Sequence, residues 1–320
     1  TNVLGLLGAG EAGTLTFAPG RAFDRIEIRV NSLLNVSALE SAVEVYDVKR
    51  FGPTGSACAD PDFVLPTPTA GPFEIPACEA QVVDWQYADY PNLAADGNNE
   101  SFASLTASSG TLLGIGAYSG FLEYEFPTII PANKTSYVRI DMDGDILDRL
   151  LSGTLGTLVS NVGGLLLGNH YFSVEAKTTA SGSTPVLTGS SAAGFTDVIG
   201  GDLRLVQDNI GRYYIAVTPN ADYRYLRITE HFPSLVGASQ AAASMRIYEA
   251  CMEIGVDNCL PAQFTSFDQS GLTLGALNGA GVANADHAIS ANSSDYSEIS
   301  TGTVAVAAEV AQRIYFNKLS

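Results

Sequence analysis

Between positions 141 and 148 the chain reads DMDGDILD, which places Asp141, Asp143, Asp145 and Asp148 within one short stretch. Hard oxygen donors at that spacing could wrap a calcium ion around the turn at Gly144. The glycine does not stand at the sixth place of an EF-hand loop and no glutamate closes such a loop, so this is not a standard EF-hand. The competing reading is a strand end followed by acids that cap a helix, where the positive end of the helix dipole favours them. A second group could bind rather than react. Trp85, Tyr87 and Tyr90 in WQYADYP, with Tyr118 in GIGAYSG, offer aromatic faces of the kind that stack on a sugar ring. The same rings could equally pack beneath loops or at module junctions.

Signals for catalysis fall away one by one. GAGEAG (8–13) has the GxGxxG spacing, but a dinucleotide site needs a helix next, and TLTFAPGRAF reads as strand and turn. TGSSAAG (188–194) carries Ala193 where a nucleophile elbow needs glycine. His170, His231 and His287 are scattered along the chain, with no candidate nucleophile beside any of them. The expectation is a protein that is not an enzyme.

Bulk chemistry narrows the partners. Acidic residues outnumber basic ones 34 to 16, a net charge of −18, which repels nucleic acid and anionic lipid alike. Hydrophobic residues make up 46 % of the chain, enough for a sizeable core. No stretch reaches the roughly 18 consecutive apolar residues of a membrane-spanning helix. The chain begins at Thr1 without methionine, as a processed secreted protein or an excised segment would. Cysteines at 58, 78, 251 and 259 lack zinc-knuckle spacing and suggest disulfides in an oxidising, extracellular setting. The expected pairs are Cys58–Cys78 and Cys251–Cys259, local staples across module junctions; buried free thiols are the alternative.

The elements that must position these residues are strands. RIEIRV, AVEVYDV, FLEYEF, SYVRID, YFSVEA, RYYIAV, YLRIT and SMRIYEA alternate apolar and polar residues and are separated by Gly, Pro, Asn, Asp and Ser. Such spacing predicts an all-β protein built from an antiparallel β-sandwich. One helical insertion is predicted near 144–161, where leucines recur at helical spacing.

FAPGRAFDRIEIRV (17–30) returns in rhythm as VTPNADYRYLRITE (217–230), and NLAADGNNESFASL (92–105) parallels HAISANSSDYSEIS (287–300). The chain therefore reads as a rear half-module (1–58), a Pro-rich linker (59–77), a whole module (78–258) and a front half-module (259–320). A half-sandwich has open strand edges and an uncovered face. The two halves could pair within one chain, pair between chains, or be completed by sequence outside this numbering. Pairing between chains, head to tail, would build a filament because such a contact does not close. The strands expected to carry assembly hold Ile26, Ile28, Val30, Val43 and Val45 at the front, and Ile314, Tyr315 and Phe316 at the back.

AADGNNESFASL, followed by GFLEYEFP and SYVRID, with YRYLRITE later, resembles the galactose-binding-like, discoidin-type β-sandwich (a jelly-roll architecture). Phe102 stands where that family usually has tryptophan, and the helical insertion is extra. The longer phrase DGNNESFASLTASSGTLLGIGAYSGFLEYEFP, with LLSGTLG, LLLGNHYFSVEA and SAAGF, resembles repeat modules of large surface proteins that Bacteroidota export by the type IX system. The resemblance implies an exported structural or adhesive protein at the cell surface, partnered by copies of itself or by neighbouring modules. Glycan binding at loop tips is the alternative it implies.

Overall fold

The computed structural model describes residues 23, 25–36, 42–46, 48, 78–110, 116–142, 146–151, 171–180, 184–208, 210–232, 242–252, 262–273, 281–290, 292, 294–302 and 304–316. The rear half carries β1 (Arg25–Val36) and β2 (Ala42–Val45). The whole module carries β3 (Gln81–Gln86), β4 (Ala88–Asp89), β5 (Ala103–Ser108), β6 (Phe121–Ile130), β7 (Ser136–Met142), β8 (Tyr171–Lys177), β9 (Leu187–Ser190), β10 (Gly201–Gln207), β11 (Tyr213–Pro219), β12 (Tyr223–His231) and β13 (Ala242–Met252). The front half adds β14 (Phe264–Thr273), β15 (Gly281–Ala283), β16 (Ser297–Ser300) and β17 (Val304–Tyr315). All named ladders are antiparallel.

The alternation read from the sequence is the alternation of burial. In β5 and β8 every second side chain is buried, because successive residues of a strand point to opposite faces. In the whole module two sheets bury those faces against each other. One is the run β10-β11-β7-β13-β5-β4, and the other is the five-stranded order β3-β6-β12-β8-β9. Val138, Ile140, Ile215 and Ile247 from the first meet Leu122, Tyr124, Val174, Leu226 and Ile228 from the second in one apolar core. A short helix, α1 (Ile146–Leu151), sends Leu147, Leu150 and Leu151 into the same core. It fulfils part of the predicted insertion; residues 143–145 and 152–161 lie outside the described residues.

The disulfide differs from the expected staples. Cys78 bonds to Cys251, 173 positions away. The Cys58–Cys78 and Cys251–Cys259 pairs are thereby excluded, while Cys58 and Cys259 themselves lie outside the described residues, as does the linker 59–77. The reason is topological. Cys78 leads into the edge strand of one sheet and Cys251 ends a strand of the other, so the bond clasps the first and last strands of the whole module.

The terminal halves pair with each other inside the chain, the first of the three arrangements open to them. β1 lies on β17, β17 on β14, and β2 on β16. These pairings repeat β12 on β6, β6 on β3, and β13 on β5. The register repeats too. Ile28 faces Gln312 and Ile26 faces Ile314, as Ile228 faces Leu122 and Leu226 faces Tyr124. The whole module and the front half each have a short 3-10 helix, Pro91–Ala95 and Ala285–Ile289, entered through a left-handed residue (Tyr90, Asn284) and burying one alanine completely, Ala94 and Ala288. The strands of the chain ends thus repeat the pairing order seen in residues 78–258, around a core of their own at Ile289, Ile314 and Phe316, and are termed the smaller module.

The clasp yields a direct test. Replacing Cys78 and Cys251 together by serine frees a very long loop and should lower unfolding stability by about 2–4 kcal/mol, read by denaturant titration of the oxidised chain against the variant.

Candidate functional site

Two features stand out: the strand joins, and an aromatic cleft at the far end of the nine-stranded sheet, beside β4 and β5. At the main join β14 continues the sheet of the whole module by pairing Thr265 with Gln207 of β10, and the nine-stranded sheet β1-β17-β14-β10-β11-β7-β13-β5-β4 results. Phe264 stacks on Tyr137 at 4.6 Å and meets Tyr214 edge-on at 5.4 Å. With Val206, Ala216 and Tyr315 these rings form a separate apolar cluster across the seam. Beside it Asp202 accepts from Arg204 at 2.9 Å on its own strand and from Arg25 of β1 at 3.0 Å. Burial pushes the Asp202 carboxyl up, but the two guanidiniums outweigh it and hold its pKa below the usual 3.8.

The assembly residues named from the sequence are brought together. Ile26, Ile28 and Val30 lie on the strand that pairs with β17, opposite Ile314, Gln312 and Val310. Val43 and Val45 sit opposite Ile299 and Ser297. Tyr315 pairs with both Arg25 and Phe264, and Phe316 meets Phe23 edge-on at 6.1 Å. The strands expected to present open edges therefore satisfy one another.

The cleft is built on an irregular turn. Trp85 ends β3; Tyr87 follows with φ 49°, a left-handed conformation seldom taken by an aromatic residue, and turns the chain into β4. The carbonyl of Tyr87 accepts from the Thr106 amide at 2.9 Å, and Ser108 and Tyr118 exchange two backbone hydrogen bonds. Gly120 is required where these segments converge, since a Cβ there would come within 2.5 Å of the Thr106 carbonyl oxygen. Tyr87 and Tyr118 consequently stack at 4.1 Å. With Trp85, Gln86, Ala88, Asp89 and Thr106 they line an open cleft of about 440 Å³. Three of the four aromatic residues singled out in the sequence thus converge. Tyr90 does not line the cleft; it caps the 3-10 helix and is 74 % exposed.

Of the aspartates in the acidic stretch, only Asp141 and Asp148 fall among the described residues. Asp141 is tied to Arg246 in a salt bridge between β7 and β13. Asp143 and Asp145 lie outside the described residues, and Asp148 falls in α1. Among the described residues no group of three or more His, Cys, Asp or Glu side chains gathers as a metal site would.

Three polar clusters escaped sequence reasoning. His231 stacks on Tyr171 at 4.6 Å, with Ser119 at 3.2 Å from Nδ1 and Ser173 at 2.9 Å from Nε2. Burial lowers its pKa, so the ring is neutral near pH 7. Both nitrogens are held by serines, which leaves neither for the orienting acid of a Ser–His–acid relay. Glu123 is fully buried between Lys177 and Arg227, each at 2.7 Å, and Arg227 reaches on to Asp84 of β3 at 3.0 Å. Glu249 is buried with Oε1 unpartnered; burial, and after it the nearby Asp96 charge, raise its pKa despite hydrogen bonds from the Gly97 and Asn98 amides. The inward alternation of Met245 and Ile247 points at Glu249, a signal present in the sequence.

No family model matches the chain, and no curated protein matches it. What the fold itself defines is a class: an all-β protein whose antiparallel sheets pack face to face.

The seam should be sensitive to acid. A carboxyl whose pKa is lowered by folding contributes stability that is complete above its unfolded value and lost as the pH falls through the folded value. Wild-type protein should therefore lose more stability between about pH 4.5 and about pH 2 than Asp202→Asn does, measured by thermal unfolding across that range.

Proposed function

We propose that the chain is a structural and adhesive repeat of an extracellular, cell-surface protein, and that it works by strand complementation between half-modules. Its sandwich is read as discoidin-like, in keeping with the AADGNNESFASL and YRYLRITE phrases. The observation that carries the proposal is the duplicate register. β1 and β17 rebuild, from opposite ends of the chain, the pairing that β12 and β6 make inside the whole module.

Such a pairing is exchangeable. A rear half that recognises a front half in cis has the same registers to offer in trans, and exchange of an identical element is a low-cost route to assembly. Among the described residues β1 also ends its sheet, whereas its twin β12 pairs on that side with β8. No strand among the described residues lies on the outer side of β1, which there offers a row of backbone groups to which a strand from another module can add. The acidic surface keeps free chains apart in solution and is screened in a saline, cation-rich setting.

A second reading is favoured by one observation, the convergence of Trp85, Tyr87 and Tyr118 on an open cleft with Asp89 and Thr106 as polar neighbours. In that reading the module is a lectin-like adhesin domain and the aromatic faces take a sugar.

Negative-stain electron microscopy of the purified chain over a range of concentrations tests the proposal. Filaments with a regular axial repeat are expected, lost on deletion of residues 311–320 while the disulfide-clasped module 78–258 stays folded. Single compact particles at every concentration would contradict it. Retention of those particles on a glycan resin, lost with Trp85→Ala, would establish the lectin reading instead.

A further inference from the structure

The two modules are copies of one plan, yet the same strand has opposite fates in them. β3 is the twin of β14: Trp85 faces Leu122 on β6 as Phe267 faces Gln312 on β17, and Val82 faces Tyr124 as Thr265 faces Ile314. On its outer side β14 meets β10, through the pair Thr265 and Gln207. Among the described residues β3 ends its sheet, with no strand on that side. The aromatic twins differ in exposure. Phe267 is 6 % exposed and belongs to the core of the whole module, into which it is carried from the neighbouring one. Trp85 is 48 % exposed, and Val83 beside it is exposed as well.

From this pseudo-equivalence we infer that the outer edge of β3, residues Gln81–Gln86, is the docking site for a strand equivalent to β10, supplied by residues 1–7 of a second copy of this chain. The inference rests on the reading of the chain as a tandem repeat. It names a different contact from the exchange of the terminal halves.

The choice of occupant follows from the spacing of the repeat. β1 stands 200 positions before β12, as Ile28 and Ile228 show by their matched partners. The same interval takes β10, GDLRLVQ at 201–207, back to TNVLGLL at 1–7. Val3 and Leu6 there stand where β10 has the buried Leu203 and Val206. Within one chain β10 is already engaged by β14, so it is not free to cover β3 of another copy. The seat is already in place: Asp84 is tied through Arg227 to the buried Glu123, which fixes β3 on its sheet before any partner arrives. Because the contact joins the front of one copy to a different surface of the next, it does not close on itself.

Trp85 is the single tryptophan of the chain, so in sugar-free solution its emission follows the surroundings of β3. The full-length protein is followed by sedimentation velocity and tryptophan fluorescence as its concentration is raised. The expected result is a rise in sedimentation coefficient accompanied by a blue shift of emission. Both should be lost in Val83→Lys, which places a charge on an exposed edge position, and independently on deletion of residues 1–7. Assembly with Trp85 emission unmoved, abolished by deletion of 311–320, would overturn this inference and leave the exchange of terminal halves standing. Persistence of the shift in both variants would also overturn it. A chain that stays monomeric at every concentration would sink both.

Discussion

A strand at the end of a sheet leaves a row of backbone donors and acceptors without protein partners, and a half-sandwich leaves an apolar face uncovered besides. The organisation of this chain follows from how those edges are met. In the whole module they are met mostly from within: the sheets face each other over one core, and the Cys78–Cys251 bond joins its first and last strands. At the chain ends neither half can close alone. The ladder from Arg25↔Tyr315 to Val36↔Val304 brings them together, and β14 then finds its remaining partner in β10.

Charge reinforces this arrangement at few points. With 34 acids and 16 bases, most carboxylates have no basic partner to reach, so the placement of each guanidinium matters. Arg25 joins β1 to Asp202 on β10, and Arg204 leans from β10 toward Asp268 on β14 at 3.9 Å. Arg313 binds both Glu27 and Asp268, linking the three strands of the smaller module. Buried between Lys177 and Arg227, Glu123 does the corresponding work in the whole module. Exposed pairs of this kind add little stability one by one. Their contribution here is to register and to the choice of neighbour.

Much of this was legible in the sequence because strands advertise themselves with a period of two. The repeat of Phe23, Ile26 and Ile28 in Tyr223, Leu226 and Ile228 was visible for the same reason, and it became a repeat of partners. What the sequence could not convey was distance across the fold. Cys78 looked nearest to Cys58 along the chain, but the sandwich brings it to Cys251. The aromatic residues of WQYADYP and GIGAYSG mark Tyr87 and Tyr118 as candidate faces, while their stacking depends on the left-handed turn at Tyr87 and the close approach at Gly120. The Asp141–Asp148 run reads as cap or cation loop from its spacing alone, and that spacing gives no hint that Asp141 pairs with Arg246 across two strands. His231 gave no sign of Ser119 or Ser173, which come from other strands and loops.

The central claim is that the two ends of the chain recognise each other in one register. Glu27 and Arg313 are cross-strand neighbours at 2.6 Å on β1 and β17, so cysteines placed at both positions report that register directly. In dilute, mildly oxidising solution, the double variant Glu27→Cys, Arg313→Cys should form a disulfide between residues 27 and 313 of one chain. Mass spectrometry of the non-reduced, proteolysed monomer would detect that bond. Two thiols that stay free under those conditions, or that pair only with other cysteines, would contradict the account.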